Sequence, residues 1–441
     1  MPEATGARPR IVVVGGGFGG AFAVQKLARR LRTEEADVLL IDRNNYFVFH
    51  PFLVEAGTGS LPPQHAVVGL RAFTHSRGLL MGEFTGADFA RRIIRWRPVG
   101  LDHERELAYD ELVLALGSVT NLPDIPGLRE RALQVKGVGD AIALRDRAIR
   151  LLEQADQCED PARQRSLLHF VIVGSSFTGT ELAGEFEVFL RRAARRYANI
   201  TPADISVTLV DIADRILPNL HVDLAAFAAE KLRRRGVHLR LGTSVARVEA
   251  RRVTLGDGTV LDAETVVWCA GIAPNPALSG LGLPIDSRGW VLCDPDLQVR
   301  GVDHVWAIGD CAVNPGPDGK PYPATAQAAV QQGRAVADNL ARVLRGKAPV
   351  ACVARDRGSL VPLGCRTGVA RIGPLRLSGF PAWFLWRSVY LLKMPGWGRR
   401  LRVALEWSIG LLFGRDDVQL GVRGEPPRPG GGHGGEARTA P

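Results

Sequence analysis

Two stretches of the chain repeat one pattern of apolar and small residues. Ile11-Val12-Val13-Val14 is an unbroken apolar run that stops at Gly15, and an Ala-rich stretch follows through about Leu31. Phe170-Val171-Ile172-Val173 stops at Gly174 in the same way, 159 residues on, and its following stretch reaches about Tyr197. A short apolar run bounded by glycine predicts a buried strand, and the Ala-rich stretch behind it predicts a helix. Two strand–glycine turn–helix units so far apart predict two dinucleotide-binding βαβ domains in place of one. Residues 109–120 and 266–273 are further apolar runs ending in Gly-containing turns, which predicts two more buried strands. Asp257-Gly258, between Val253-Thr254-Leu255 and Val260-Leu261, predicts a hairpin.

Past Pro349 the texture changes. Residues 358–378 read as short strands broken by glycine and proline. Residues 382–394 are apolar nearly all round apart from Arg387, Ser388 and Lys393, too few to span a bilayer, which takes roughly 20 residues. After Pro395-Gly396, residues 399–413 set Arg399, Arg402 and Glu406 on one helical face and Leu401, Leu405 and Leu412 on the other. Trp383, Trp386, Trp397 and Trp407 lie here, and Trp favours the membrane–water interface. Arg387, Lys393, Arg399, Arg400 and Arg402 form a basic collar suited to anionic lipid. These features predict an anchor lying in the membrane plane; a helical pair packed on the protein's own body or on a dimer partner is the alternative. Residues 421–441 are a Gly/Pro/Arg tail expected to be disordered.

Composition narrows the class. At 441 residues with 46% hydrophobic and 23% charged residues, the chain is an ordinary globular mixture of two to four domains. No run is apolar enough to cross a membrane, and the polar start passes directly into the first strand, so neither an integral membrane protein nor a secretory leader is expected. The net charge of +10 suits an anionic partner, and its concentration near the C-terminus points to lipid rather than nucleic acid. Six cysteines form no C-x-x-C pair and nine histidines no H-x-H or H-E-x-x-H arrangement, so no metal site or dithiol centre is expected. Each cysteine reads as a small buried apolar residue.

The first glycine turn is Gly15-Gly16-Gly17-Phe18-Gly19-Gly20, a G-x-G-x-x-G placed where a strand becomes a helix. Gly15 permits the tight turn, Gly17 lets the backbone approach a pyrophosphate, and Gly20 lets helix and strand pack closely. Asp42, 22 residues after Gly20 at the end of the next strand, would accept hydrogen bonds from a ribose. The second turn, Gly174-Ser175-Ser176-Phe177-Thr178-Gly179, keeps its outer glycines and carries Ser176 where a glycine would leave room for phosphates. Asp211 ends the next strand and favours NAD over NADP by repelling a 2′-phosphate, a preference that Arg215 nearby would weaken.

Together with Leu114-Ala115-Leu116-Gly117-Ser118, Ala270-Gly271 and Gly309-Asp310, these residues resemble a two-dinucleotide-domain flavoprotein. Three segments are similar to type II NADH:quinone dehydrogenases in particular. They are Asp42-Arg43-Asn44-Asn45-Tyr46 through Leu61, the helix Thr325-Ala326-Gln327-Ala328-Ala329-Val330-Gln331-Gln332-Gly333, and Gly358-Ser359-Leu360 with residues 383–402. The resemblance runs from about residue 10 to 420 and departs from the family at Gly174-Ser175-Ser176, where three glycines are usual. It implies an α/β fold with two Rossmann-like domains and a C-terminal membrane-contact domain. The FAD-binding domain would be discontinuous (10–130 and 290–345), the NAD(H) domain would span 131–289, and the membrane-contact domain 346–420. It implies oxidation of NADH with two-electron reduction of a quinone through non-covalent FAD, without proton pumping, at the cytoplasmic face of the membrane. Gly15, Gly17, Gly20, Asp42, Arg43, Asp310, Ala326 and Gln327 would hold FAD, and Gly174, Gly179 and Asp211 would address NADH. Glu181 would stand near the nicotinamide, and Gln327 and Gln331 would meet the quinone. Read without the family, Asp310 fits a helix N-cap, Glu181 fits a first-turn acid serving the helix dipole, and the glutamines fit a solvated surface. A sulfide:quinone oxidoreductase using Cys158, Cys352 or Cys365, and an idle FAD-binding regulator, remain as alternatives, and a homodimer stays open.

Overall fold

The computed structural model describes residues 8–74, 78–413 and 417–421; the expected tail lies almost entirely outside them. The chain forms two compact units, each built from separated segments: residues 1–49, 67–119 and 272–358, and residues 50–66, 120–271 and 359–441.

The first unit carries a seven-stranded sheet in the order Val305–Ala307, Glu111–Leu114, Arg10–Val14, Asp37–Asp42, Leu79–Asp88, Ile93–Pro98, Arg105–Ala108. Its first five strands run parallel and its last two turn back antiparallel. Val12, Val13, Leu112, Leu114, Val305 and Ala307 are buried, as an unbroken apolar run requires of a strand covered on both faces. Helix Phe18–Arg30 packs along helix Ala326–Val343 so closely that a Cβ on Gly333 would strike the Gly19 carbonyl.

In the second unit the sheet is wholly parallel, in the order Leu133–Gln134, Thr265–Trp268, His169–Val173, Ser206–Asp211, Val237–Leu241. Helix Phe177–Ala194 buries Leu182, Ala183, Phe186, Phe189 and Leu190 against it. The predicted hairpin is present as Arg252–Leu255 and Val260–Asp262. The C-terminal segment adds an antiparallel three-stranded sheet, Ser359–Pro362, Gly368–Ile372 and Leu375–Gly379, followed by helices Phe380–Lys393 and Trp397–Leu412. Among the described residues no helix is long and apolar enough to cross a membrane.

Candidate functional site

The first glycine turn is shaped by backbone contact. Gly15 sits at φ +100°, a region closed to most side chains, and donates its N–H to the Ile41 carbonyl at 2.8 Å. A Cβ on Gly15 would strike the Ala115 carbonyl and one on Gly20 the Gly15 carbonyl. Gly17 is different: it is exposed and extended (φ −70°, ψ −163°) at the N-cap of helix Phe18–Arg30, and a Cβ there would meet nothing within 4 Å. That open space lies at the helix N-terminus, where the backbone N–H groups favour an anion, so the turn fits a pyrophosphate. Asp42 braces it, its Oδ2 accepting from Gly16 N–H at 2.6 Å and its Oδ1 from Asn44 N–H at 2.7 Å. Burial raises the Asp42 pKa against the lowering effect of those bonds and of exposed Arg43. Each carboxylate oxygen keeps a second lone pair, which is what a ribose hydroxyl needs.

The second turn reproduces the first almost angle for angle. Gly174 also sits at φ +100° and donates to the Val210 carbonyl at 2.8 Å; a Cβ on Gly179 would strike the Gly174 carbonyl. Asp211 accepts from Ser175 N–H through Oδ2 and from Ala213 N–H through Oδ1 at 2.8 Å. Ser176 is exposed at φ −70°, ψ −162°, an ordinary conformation for any L residue. The serine therefore strains nothing within the protein, and any crowding falls only on a bound phosphate. Arg215 donates to the Pro218 carbonyl at 2.9 Å.

Glu181 is the fifth residue of helix Phe177–Ala194, whose first turn holds no acid, so it is not the dipole-serving acid that its spacing from Gly179 suggested. Part of its surface stays accessible, yet the atoms crowded around its carboxyl, then the Glu185 and Glu55 charges, push its pKa well above the usual carboxylate range. Burial, then the Glu181 charge, raises Tyr390 in turn.

Asp310 occupies the middle of a 3₁₀ turn, Gly309–Cys311, and is not a helix N-cap. Helix Ala326–Val343 begins at exposed Ala326 and is capped by Thr325, whose hydroxyl accepts from Ala328 N–H at 3.2 Å. Gln327 and Gln331 share a face, as their spacing predicts, but that face is not simply solvated. Gln331 makes two bonds to the Arg355 peptide, donating to its carbonyl at 3.0 Å and accepting from its N–H at 3.0 Å. Gln327 is held more loosely, donating to the Arg355 carbonyl and the Asp356 carboxylate at 3.4 Å each. Gln332, which the i, i+4 spacing passes over, is buried with 3% of its surface exposed.

Sequence reasoning also missed Glu55. It lies on the five-residue helix Leu53–Gly57, is 2% exposed, and pairs with Arg387 at 3.0 Å while accepting from Trp407 Nε1 at 2.9 Å. Arg387 is stacked between the Trp383 and Trp407 rings, 4.5 and 4.4 Å from their centroids. Phe52 meets Trp386 and Trp407 edge-on. Arg387 thus leaves the expected basic collar, and Trp383, Trp386 and Trp407 are buried in the unit's own interior; of the four tryptophans only Trp397, at 76% exposure, faces outward. The large apolar residues left exposed there include Phe380, Phe384, Leu392, Leu401, Leu405, Leu412 and Phe413. Helix Trp397–Leu412 seats Val403 and Trp407 and turns its leucines out.

The two glycine turns with their bracing acids define an oxidoreductase of the two-dinucleotide type, and comparison with known proteins agrees. Residues 9–333 match the family model of the pyridine nucleotide-disulphide oxidoreductases, and residues 357–416 match that of the NDH2 C-terminal domain. The type II NADH:quinone oxidoreductase Ndh of Mycobacterium tuberculosis is 30% identical over 92% of this chain and 89% of its own length. The demethylphylloquinone reductase of Synechocystis is 29% identical over 91% and 96%. The fold is also that of NDH2 from Plasmodium falciparum, solved with NADH, at a TM-score of 0.86 and 19% identity over 93% of this chain and 100% of that one. The chain belongs to the type II NADH:quinone oxidoreductases, FAD enzymes that oxidise NADH and reduce quinone without pumping protons.

Proposed function

We propose that this protein oxidises NADH and reduces a membrane quinone, taking up one proton from the medium for each hydride received. FAD, when bound, supplies acceptance of hydride from nicotinamide and release of the electron pair to quinone. The observation that carries the reading is the pair of matched turns, each with an acid bracing it. Gly15, Gly17 and Gly20 cradle the FAD pyrophosphate, Asp42 takes the adenosine ribose with Arg43 beside it, and Asp310, Ala326 and Gln327 meet the flavin half. Gly174, Gly179 and Asp211 address NADH in the same way. Glu181 stands near the nicotinamide with a carboxyl whose pKa burial pushes well above the usual carboxylate range. Gln327 donates to a quinone carbonyl, being the less firmly held of the two glutamines, and Gln331, which also donates to the Gln327 main-chain carbonyl at 3.2 Å, meets the quinone beside it.

The exposed apolar face of residues 380–413 is read as lying on the membrane, at the cytoplasmic surface, with Lys393, Arg399, Arg400 and Arg402 attracting anionic lipid at about 1 kcal/mol each. A second copy of the chain would cover the same face in a homodimer. Replacing Leu401, Leu405 and Leu412 together by Ser tests both. We expect loss of sedimentation with anionic liposomes and of activity with long-chain quinones, while turnover with a short soluble quinone persists. Unchanged sedimentation, or a triple variant that merely shifts from dimer to monomer, overturns the membrane assignment. Burial pushes the Cys352 thiol up to about 11, which argues against that cysteine as the nucleophile of a sulfide enzyme.

A further inference from the structure

The three glutamines of helix Ala326–Val343 face different tasks. Gln327 and Gln331 are turned to the segment at Arg355, whereas Gln332, one residue on and about 100° round the helix, is buried against the turn that carries Asp310. Its Oε1 accepts from Gly309 N–H at 2.7 Å and from Asn314 Nδ2–H at 3.2 Å. One oxygen therefore joins the residue before Asp310 to the residue that follows strand Ala312–Val313. Asn314 is 1% exposed, and half-buried Gly309 stands at φ +72° with its Cα facing the Ala329 methyl. The amide orientation is fixed, since a backbone N–H can only donate.

We propose that Gln332 is a positioning residue for the flavin: it sets the Gly309–Cys311 turn, and hence Asp310, and takes no part in binding quinone. This rests on the reading that the first unit holds FAD. The chemistry follows from the bonds. Removing the acceptor leaves a half-buried backbone N–H and a buried amide unpaired, and the turn relaxes to reach water or other acceptors. Asp310 moves with it, because it is the next residue after the released N–H. Gly333 presses on Gly19 directly behind, so the helix itself has no room to follow.

The test compares Gln332→Leu, Gln332→Glu and Gln327→Ala in the full-length holoprotein. Leu fills similar volume without an acceptor; Glu keeps an oxygen for both donors. The readouts are the FAD dissociation constant, from recovery of free flavin fluorescence on dilution, the visible flavin spectrum, and the quinone KM of the FAD-saturated enzyme. We expect Gln332→Leu to weaken FAD binding about tenfold or more, with an altered flavin spectrum and an unchanged quinone KM once saturated. Gln332→Glu should restore affinity to within about threefold of the native protein, and Gln327→Ala should raise the quinone KM even when saturated with FAD. Native-like FAD affinity in Gln332→Leu, failure of rescue by Gln332→Glu, or a raised quinone KM in saturated Gln332→Leu overturns the proposal. A native protein that binds no FAD at all would instead sink the functional reading on which it stands.

Discussion

Replacing Arg387 by Met probes what seats the two C-terminal helices. The native guanidinium lies 3.0 Å from Glu55, with side-chain exposures of 11% and 3%, and is sandwiched by two indoles. Removing one partner of so enclosed a pair strands a carboxylate in a low-dielectric interior, which costs about 3–5 kcal/mol. The two lost ring contacts add about 0.5–2 kcal/mol each, offset in part because the Met side chain keeps some packing on the indoles. Trp407 still donates to Glu55, so part of the charge stays solvated by protein. The effect should be local to residues 380–413, and native-state hydrogen exchange reads it there, as a fall of about 3–5 kcal/mol in the opening free energy of both helices. Adding Glu55→Gln removes the stranded charge while keeping an oxygen for Trp407. The double variant should recover most of the loss and lie within about 2 kcal/mol of native. A double variant that opens as readily as Arg387→Met, or a single variant that exchanges like native protein, would refute the assignment of the pair as the seat.

Other expectations concern the second glycine turn and the acid behind it. The folded pKa of Glu181 is raised, so the native state holds a proton that the unfolded chain gives up above about pH 4.5. Stability should therefore fall as pH rises through the interval up to the folded pKa. Glu181→Gln removes that dependence, giving a Tm advantage over native protein that vanishes near pH 4 and grows as pH rises above about 4.5; an equal Tm difference across the range contradicts it. Asp211 should give preference for NADH over NADPH by about 10- to 100-fold in kcat/KM, and Asp211→Ala should narrow it; equal use of both by the native protein rules this out. Ser176→Gly should lower the KM for NADH at unchanged FAD content and a nearly unchanged Tm, since the serine is unstrained; an unchanged or higher KM shows that the hydroxymethyl group does not crowd the phosphates.

Much of this was legible in the sequence because it is local. The two strand–turn–helix units follow from apolar runs ending in glycine, and Asp42 and Asp211 stand at strand ends that the same runs delimit. The glutamine spacing placed Gln327 and Gln331 on one face but said nothing of what that face meets, and it passed over Gln332, whose partners Gly309 and Asn314 lie 23 and 18 residues back. Glu55 was invisible for the same reason on a larger scale: its partners Arg387 and Trp407 are 332 and 352 residues away. Without that carboxylate, Trp383, Trp386 and Arg387 read as an interfacial collar. With it they become interior residues, and the outward face passes to Phe384, Leu401, Leu405 and Leu412. A helix pattern shows which residues share a side; only the tertiary partner tells whether that side is inside or out.

One bound flavin is expected to take electrons from NADH and give them to quinone. Anaerobic mixing of the FAD-loaded protein with one equivalent of NADH, followed by one equivalent of a soluble quinone, tests it directly. The visible flavin absorbance should bleach within the mixing experiment and return in full when the quinone is added. A flavin that stays oxidised in the presence of NADH, or one that bleaches and is not reoxidised by quinone, would contradict it.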